Sequence, residues 1–289
     1  MEKKFNKVDF NDLDGTYIIA EIGINHNGDL QIAKKLVDGA FATGWNCVKF
    51  QKRTPDLCVP ECQKNVEKET PWGKMTYLEY KHRMEFGRKE YDYLDKYCRE
   101  KPIDWAASVW DLESLEFMSK YELPFIKIPS AMLTNNELVT AACKTGRPIL
   151  LSTGMSTLKE IDSAAALLKK HASQYALLVC NSSYPAKLDE LNLRSIPVFK
   201  KRYNCAIGYS GHEYGLDPTT VAVALGAQIV ERHITLDHTM WGTDQSSSVE
   251  IQGMDKLYKQ IRSVPKILGN GVKTVYESEI KVRKKLRGY

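Results

Sequence analysis

No run of 18 apolar residues occurs in the chain, which excludes a membrane-spanning helix. The opening stretch MEKKFNKVDFNDLDG is polar and has no apolar segment of the kind a secretory signal needs. Paired cysteines are missing too. The seven cysteines are an odd number, only Cys58 and Cys62 lie close together, and no second pair completes a zinc site. Free thiols in a reducing cytoplasm are therefore expected rather than a disulfide framework. Charge of one sign is scarce, since 41 basic against 36 acidic residues leave a net charge of only +5. That excess is too small to indicate a nucleic-acid partner, and the basic stretch KVRKKLRGY reads as a solvated helix end. It does suit a small anionic substrate. With no internal repeat and no low-complexity linker, residues 1–289 read as a single domain.

What the chain does contain is eight short apolar runs, at 17–23, 47–51, 103–110, 125–130, 149–154, 175–182, 205–210 and 229–235. They do not alternate polar with apolar, as expected for strands covered on both faces. Stretches with helical spacing lie between them, at 30–43, 89–100, 112–120, 136–145, 158–170, near Ser195, and at 218–225, with a last long one at 254–268. Eight strand–helix units in an α/β chain of 289 residues argue for closure into a (β/α)8 TIM barrel rather than an open sheet. One connection breaks the short-loop rule. Residues 52–88 after the second strand contain no recognisable strand and carry Trp72, Tyr77 and Tyr80, either as a lid or substrate wall, or as a satellite cluster on the rim.

Strand ends are where a barrel of this kind gathers its chemistry. His212 and His233, 21 positions apart at the ends of the seventh and eighth strands, can converge on one metal ion if those strands are neighbours. Glu21 ends the first strand and is followed by Asn25, His26 and Asn27. Lys49 and Gln51 share one face of the second strand, because alternate strand residues point the same way. Lys127 and Ser130, Ser152 and Thr153, Ser182 and Tyr184, and Ser210 close strands four to seven. Two lysines and several hydroxyls facing one cavity suit a phosphate and a carboxylate. His82, His171 and His238 receive no role.

The segments AEIGINHNGD, VKFQK, WGKMTYLEYK, LSTGM, SSYP, IGYSGHE and ERHITLD, taken in order, resemble the motifs of the sialic acid synthase (N-acetylneuraminate synthase) family across nearly the whole chain. The resemblance implies a barrel that condenses phosphoenolpyruvate with an N-acetylmannosamine-type sugar to give a sialic acid and phosphate. It implies a divalent metal, Mn2+ or Mg2+, on His212 and His233, with Glu21 as acid/base or sugar contact. Lys49, Lys127, Ser130, Ser152 and Ser210 would hold phosphoenolpyruvate, with Gln51 and Ser182 also lining the substrate site, and Tyr184 and Asp244 would meet the sugar or a metal-bound water. A homodimer in the cytoplasm is implied as well. The pattern departs at Met132, where many members are acidic, and it matches the barrel domain without the antifreeze-like domain that follows it in bacterial members. Two other readings fit the residues alone: a barrel enzyme on a phosphorylated metabolite, either an isomerase or a Schiff-base aldolase using Lys127, and a non-catalytic sugar sensor.

Overall fold

The computed structural model describes residues 8–288. Its barrel strands are β1 (Tyr17–Gly23), β2 (Cys47–Lys52), β3 (Asp104–Val109) and β4 (Ile126–Ile128), then β5 (Ile149–Ser152), β6 (Tyr175–Cys180), β7 (Ala206–Gly211) and β8 (Ile229–Thr235). Each pairs in parallel with the next, and β8 returns to β1, so the sheet closes into the expected barrel. Between strands the chain forms helices for local reasons. In Leu30–Ala42 the Asp29 carboxylate accepts the Gln31 N–H at 2.6 Å, and Ala33, Leu36, Val37 and Ala40 make the buried stripe. In Leu158–His171 Thr157 and Glu160 form a reciprocal capping box.

Period-two alternation sorts the strand residues into two cores. Ile18, Ala20, Ile22, Val48 and Phe50 face the surrounding helices. Ile19, Cys47, Ala106, Phe125, Leu150, Leu178 and Ile229 fill the barrel's interior. Two positions further along each strand, the same inward face carries Glu21, Lys49, Ser108, Lys127, Ser152, Cys180 and Glu231. The interior therefore changes from an apolar layer to a polar one on approaching the C-terminal mouth.

Several strands stop short of the ranges expected from sequence. β4 ends at Ile128, since Pro129 has no N–H to extend the ladder, and Ser130 opens a 3-10 turn over Ser130–Met132. β6 ends at Cys180, leaving Ser182 and Tyr184 in the loop beyond. The last long helix starts earlier than expected and spans Ile251–Leu268.

The expectation of an insert without strands is corrected. Glu67–Thr70 and Gly73–Thr76 pair as an antiparallel hairpin, preceded by the single turns Pro55–Cys58 and Glu61–Lys64 and followed by the helix Tyr77–Met84. The strand sequences EKET and GKMT carry one β-branched residue each, Thr70 and Thr76, and no aromatic one, so the hairpin depends on tertiary packing. Trp72 and Tyr80 meet Trp241, in the loop after β8, edge-to-face at 5.4 and 5.1 Å. At Gly28, with φ +72°, a Cβ would collide with the Arg83 carbonyl oxygen, so only glycine admits the end of the insert's helix.

The insert also covers His26. This buried ring stacks on Phe86 at 3.9 Å, and its Nδ1 accepts the Gly28 N–H at 3.0 Å. Burial pulls its pKa down to about 3. The unfolded chain, with an ordinary histidine value of about 6.5, binds the proton more readily. Stability attributable to this ring is thus lost as pH falls from about 6.5 toward 3, at up to about 1.4 kcal/mol per pH unit. The urea midpoint of the native sequence should fall more steeply between pH 6.5 and 4.5 than that of His26→Gln. Parallel slopes would show that acid attacks the fold elsewhere.

Candidate active site

Strand register builds the mouth. Glu21 lies opposite Lys49 on one side and His233 on the other, and Glu231 lies opposite Ser210. Lys49 donates to Ser108 Oγ at 2.7 Å, is ion-paired with Glu21, and stands 3.6 Å from Glu231. Lys127 also stands 3.6 Å from Glu231, whose carboxylate thus bridges the two ammonium groups and accepts from Ser210 Oγ at 3.1 Å. All four charges are nearly inaccessible to water. Burial alone would raise Glu231, but Lys127 and Lys49 outweigh it and hold the carboxyl well below its ordinary range. Burial opposes the charge on Lys49, and Glu21 and Glu231 more than restore it. Burial lifts Glu21 to about 7 despite Lys49, which makes it the carboxyl able to exchange a proton near neutrality.

A cavity of about 130 Å³ opens above these charges. Glu21, Lys49, Gln51, Lys127, Ser130 and Ser152 line it, together with Ser182, Tyr184, Ser210, His212 and His233. One wall is an arrangement of small donors. The Gly154 N–H donates to Ser130 Oγ and approaches Cys180 Sγ, both at 3.1 Å, and a Cβ at Gly154 would run into Ser182 Oγ. The buried Ser152 Oγ has no hydrogen-bond partner. Hydroxyls and the Lys127 ammonium form a concave surface suited to an oxyanion.

The opposite wall holds the histidines, whose ring centres lie 5.5 Å apart. The Nδ1 of His212 donates to the Asn181 carbonyl at 2.5 Å, and its Nε2 meets the Tyr184 hydroxyl at 2.9 Å. The Nδ1 of His233 is buried without a hydrogen-bond partner and lies 3.8 Å from the Asp244 carboxylate. Burial, then His233, lowers His212 to about 4, and burial lowers His233. Neutral imidazoles are what a metal ion requires. Two rings at this separation can share an ion bound at about 2.1 Å from each nitrogen. Among the described residues no three His, Cys, Asp or Glu side chains gather into one ligand set.

Of the residues singled out from sequence, Asp244 does not line the cavity; it stands behind His233. Gln51 lines it and passes a hydrogen bond to Glu21 at 2.9 Å. Asn25 instead ties the β1 loop to the Ile234 carbonyl and Ser248. Glu231 and Ser108 were not singled out, and the signal for Glu231 was available. It lies two positions before His233 on the same face of β8, as Lys49 does before Gln51.

A profile of the NeuB family matches residues 36–273. The N-acetylneuraminate-9-phosphate synthase of Drosophila melanogaster is 41% identical over 251 residues, covering 85% of this chain and 67% of that protein. The N,N'-diacetyllegionaminic acid synthase of Campylobacter jejuni is 36% identical, covering 94% of this chain and 84% of its own length. Among solved structures, the N-acetylneuraminic acid synthetase of Leptospira borgpetersenii superposes with a TM-score of 0.83 at 33% identity, covering 95% of this chain and 93% of that one.

The bridge through Glu231 generates a stability prediction. Glu231→Gln keeps the shape and an acceptor for Ser210 but leaves two buried ammonium groups without their shared counter-charge. It should lower the free energy of unfolding by about 3 kcal/mol or more, read as a reduced urea midpoint at unchanged slope. An unaltered midpoint would mean that the lysines do not depend on this carboxylate.

Proposed function

We propose that this chain, which belongs to the NeuB family, takes an N-acetylmannosamine-type sugar as the acceptor of its condensation. As a member it is a phosphoenolpyruvate-condensing synthase of nonulosonic acids; the acceptor is the part this reading adds. The observation that carries the reading is the single cavity in which two buried lysines face two neutral imidazoles. One side is built for an anion and the other for a polarised carbonyl.

In this reading Lys49 and Lys127 hold the charged groups of phosphoenolpyruvate, with Ser130, Ser152, Ser182 and Ser210 around its oxygens. Their positions are set before substrate arrives by Glu231 and Ser108, so little reorganisation accompanies charge transfer. The cavity then fixes C3 of the enol against the sugar's aldehyde carbon, which matters because this carbon is a weak nucleophile. The family is generally metal-dependent, and the neutral imidazoles of His212 and His233, with the unpartnered Nδ1 of His233, fit a divalent ion of the Mn2+ or Mg2+ kind. Such an ion would draw electron density from the aldehyde oxygen. C3 bonds to the aldehyde carbon as the C=O π bond opens onto oxygen, and water adds to the positive C2; one proton of that water ends on the new hydroxyl, and the other leaves with phosphate as the C–O bond to it breaks and C2 becomes a ketone. Glu21, whose pKa near 7 lets it take a proton at neutral pH, is placed to accept one from that water. Gln51 orients Glu21, and Tyr184, half exposed against His212, with Asp244 behind His233, bounds the sugar's side.

The test is phosphate release from phosphoenolpyruvate with N-acetylmannosamine, its 6-phosphate and related N-acyl sugars. Turnover should vanish with a chelator and return with Mn2+. Lys127→Ala should lower kcat/KM for phosphoenolpyruvate by about a hundredfold, the order expected when a charged hydrogen bond is lost. No release with any N-acyl sugar, or undiminished kinetics in Lys127→Ala, would overturn the assignment.

A further inference from the structure

A second cavity, of about 220 Å³, adjoins the first on the insert's side, and Trp110 walls both. Its charged lining is Arg53, from the strand-to-insert junction, and Lys81, from the insert's helix; no carboxylate lines it. The Arg53 guanidinium lies flat against Trp110, 3.9 Å from the ring centre, and gives one N–H to Gln51 Oε1 at 2.6 Å. Its Nε is buried with no acceptor. The Lys81 ammonium sits over the rings of Tyr77 and Tyr80, at 5.0 and 5.2 Å. Among the described residues neither cation has a carboxylate at ion-pair distance. Two like charges drawn together in a half-buried pocket, with a buried donor left unmade, are costly unless an anion joins them. Burial, and then the neighbouring Arg53, pull Lys81 down to about 8, more than the carboxylates of Asp244 and Glu85 restore.

The cavity also has a defined relation to the reacting end. Arg53, Gln51 and Glu21 form a continuous hydrogen-bonded chain, and Glu21 pairs in register with His233. An acceptor whose aldehyde lies at the histidines would run its other end toward this pocket. We propose that the cavity is an anion subsite, and that Arg53 and Lys81 hold a phosphate monoester borne by the acceptor sugar at the end remote from its aldehyde. This rests on the sugar-acceptor reading above and adds a selection for phosphorylated over neutral acceptors. Arg53 suits the role because its planar fork can give two parallel hydrogen bonds to a phosphate, and Lys81 adds a point charge from the other side.

The experiment compares kcat/KM for N-acetylmannosamine and for its 6-phosphate, at saturating phosphoenolpyruvate and Mn2+, in the native sequence, Lys81→Gln and Lys81→Arg. The native sequence should prefer the phosphorylated sugar by about ten- to hundredfold, the order expected of charge-assisted hydrogen bonds. Lys81→Gln should bring that ratio close to one, and Lys81→Arg should restore part of it. Inorganic phosphate should compete with the phosphorylated acceptor. Equal or better use of the neutral sugar by the native sequence overturns the proposal while leaving the condensation intact. Competition by inorganic phosphate without any acceptor preference would assign the pocket to the free anion instead, and it also overturns the proposal. An equal loss on both sugars in Lys81→Gln reduces the lysine to a structural role. No turnover of either sugar removes N-acetylmannosamine as the acceptor, and this proposal with it, while leaving the family's condensation in place.

Discussion

The bridging carboxylate of Glu231 is the interaction on which the polar end of this barrel depends. It stands 3.6 Å from each of two ammonium groups that face the same interior space. Two buried lysines repel each other and lose their hydration, and each ion costs several kcal/mol to bury. They are tolerable only because Glu231 lies between them and Glu21 takes the far side of Lys49. That arrangement in turn depends on strand register. A slip of one residue in β8 would turn Glu231 and His233 toward the helices and bring Arg232 inward. The buried pair of Arg232 with Glu213 guards against such a slip, since it seats the intervening residue outside the barrel at 3.0 Å from its partner.

This constraint explains the division of labour at the mouth. The lysine-bearing side is built from strand residues and their first following turns, and its charges are fixed from beneath. The insert's side is assembled from longer pieces, the insert after β2 and the loop after β8, which meet through Trp72, Tyr80 and Trp241. Chemistry common to related enzymes belongs on the lysine-bearing side, and recognition of a particular sugar on the assembled one. The two curated relatives described above act on different sugars by name, while each matches the barrel at 36% identity or more.

Much of this was legible in the sequence because strands covered on both faces are continuous apolar runs, and polar residues in or just past the C-terminal part of a run gather at the barrel's mouth. Lys49, Lys127, His212 and His233 were found in that way, and all four line one cavity. Glu231 was hidden mid-run beside Arg232, where adjacent opposite charges read as a local pair rather than a site. The hairpin of the insert was invisible for a different reason. Only the closing threonine of EKET and of GKMT prefers a strand, and Trp241, about 170 residues further on, is among the partners that segment packs against. Asp244 was legible only through the family resemblance, and the structure sets it behind His233 rather than in the cavity.

Where the insert leaves and rejoins the barrel, its two ends are fastened together. Lys52 donates to Glu85 at 3.1 Å and to the Phe86 carbonyl at 3.3 Å, and the same Glu85 carboxylate accepts the Arg53 N–H at 3.2 Å. The excursion of some thirty residues is thus closed at its base like a purse, with little loop-closure entropy left for the segment above to overcome. A segment closed in this way can be exchanged for one of different length without disturbing the strands on either side. The clasp makes the insert a replaceable cassette, through which one catalytic barrel could be refitted to new sugars while its charged interior stays untouched.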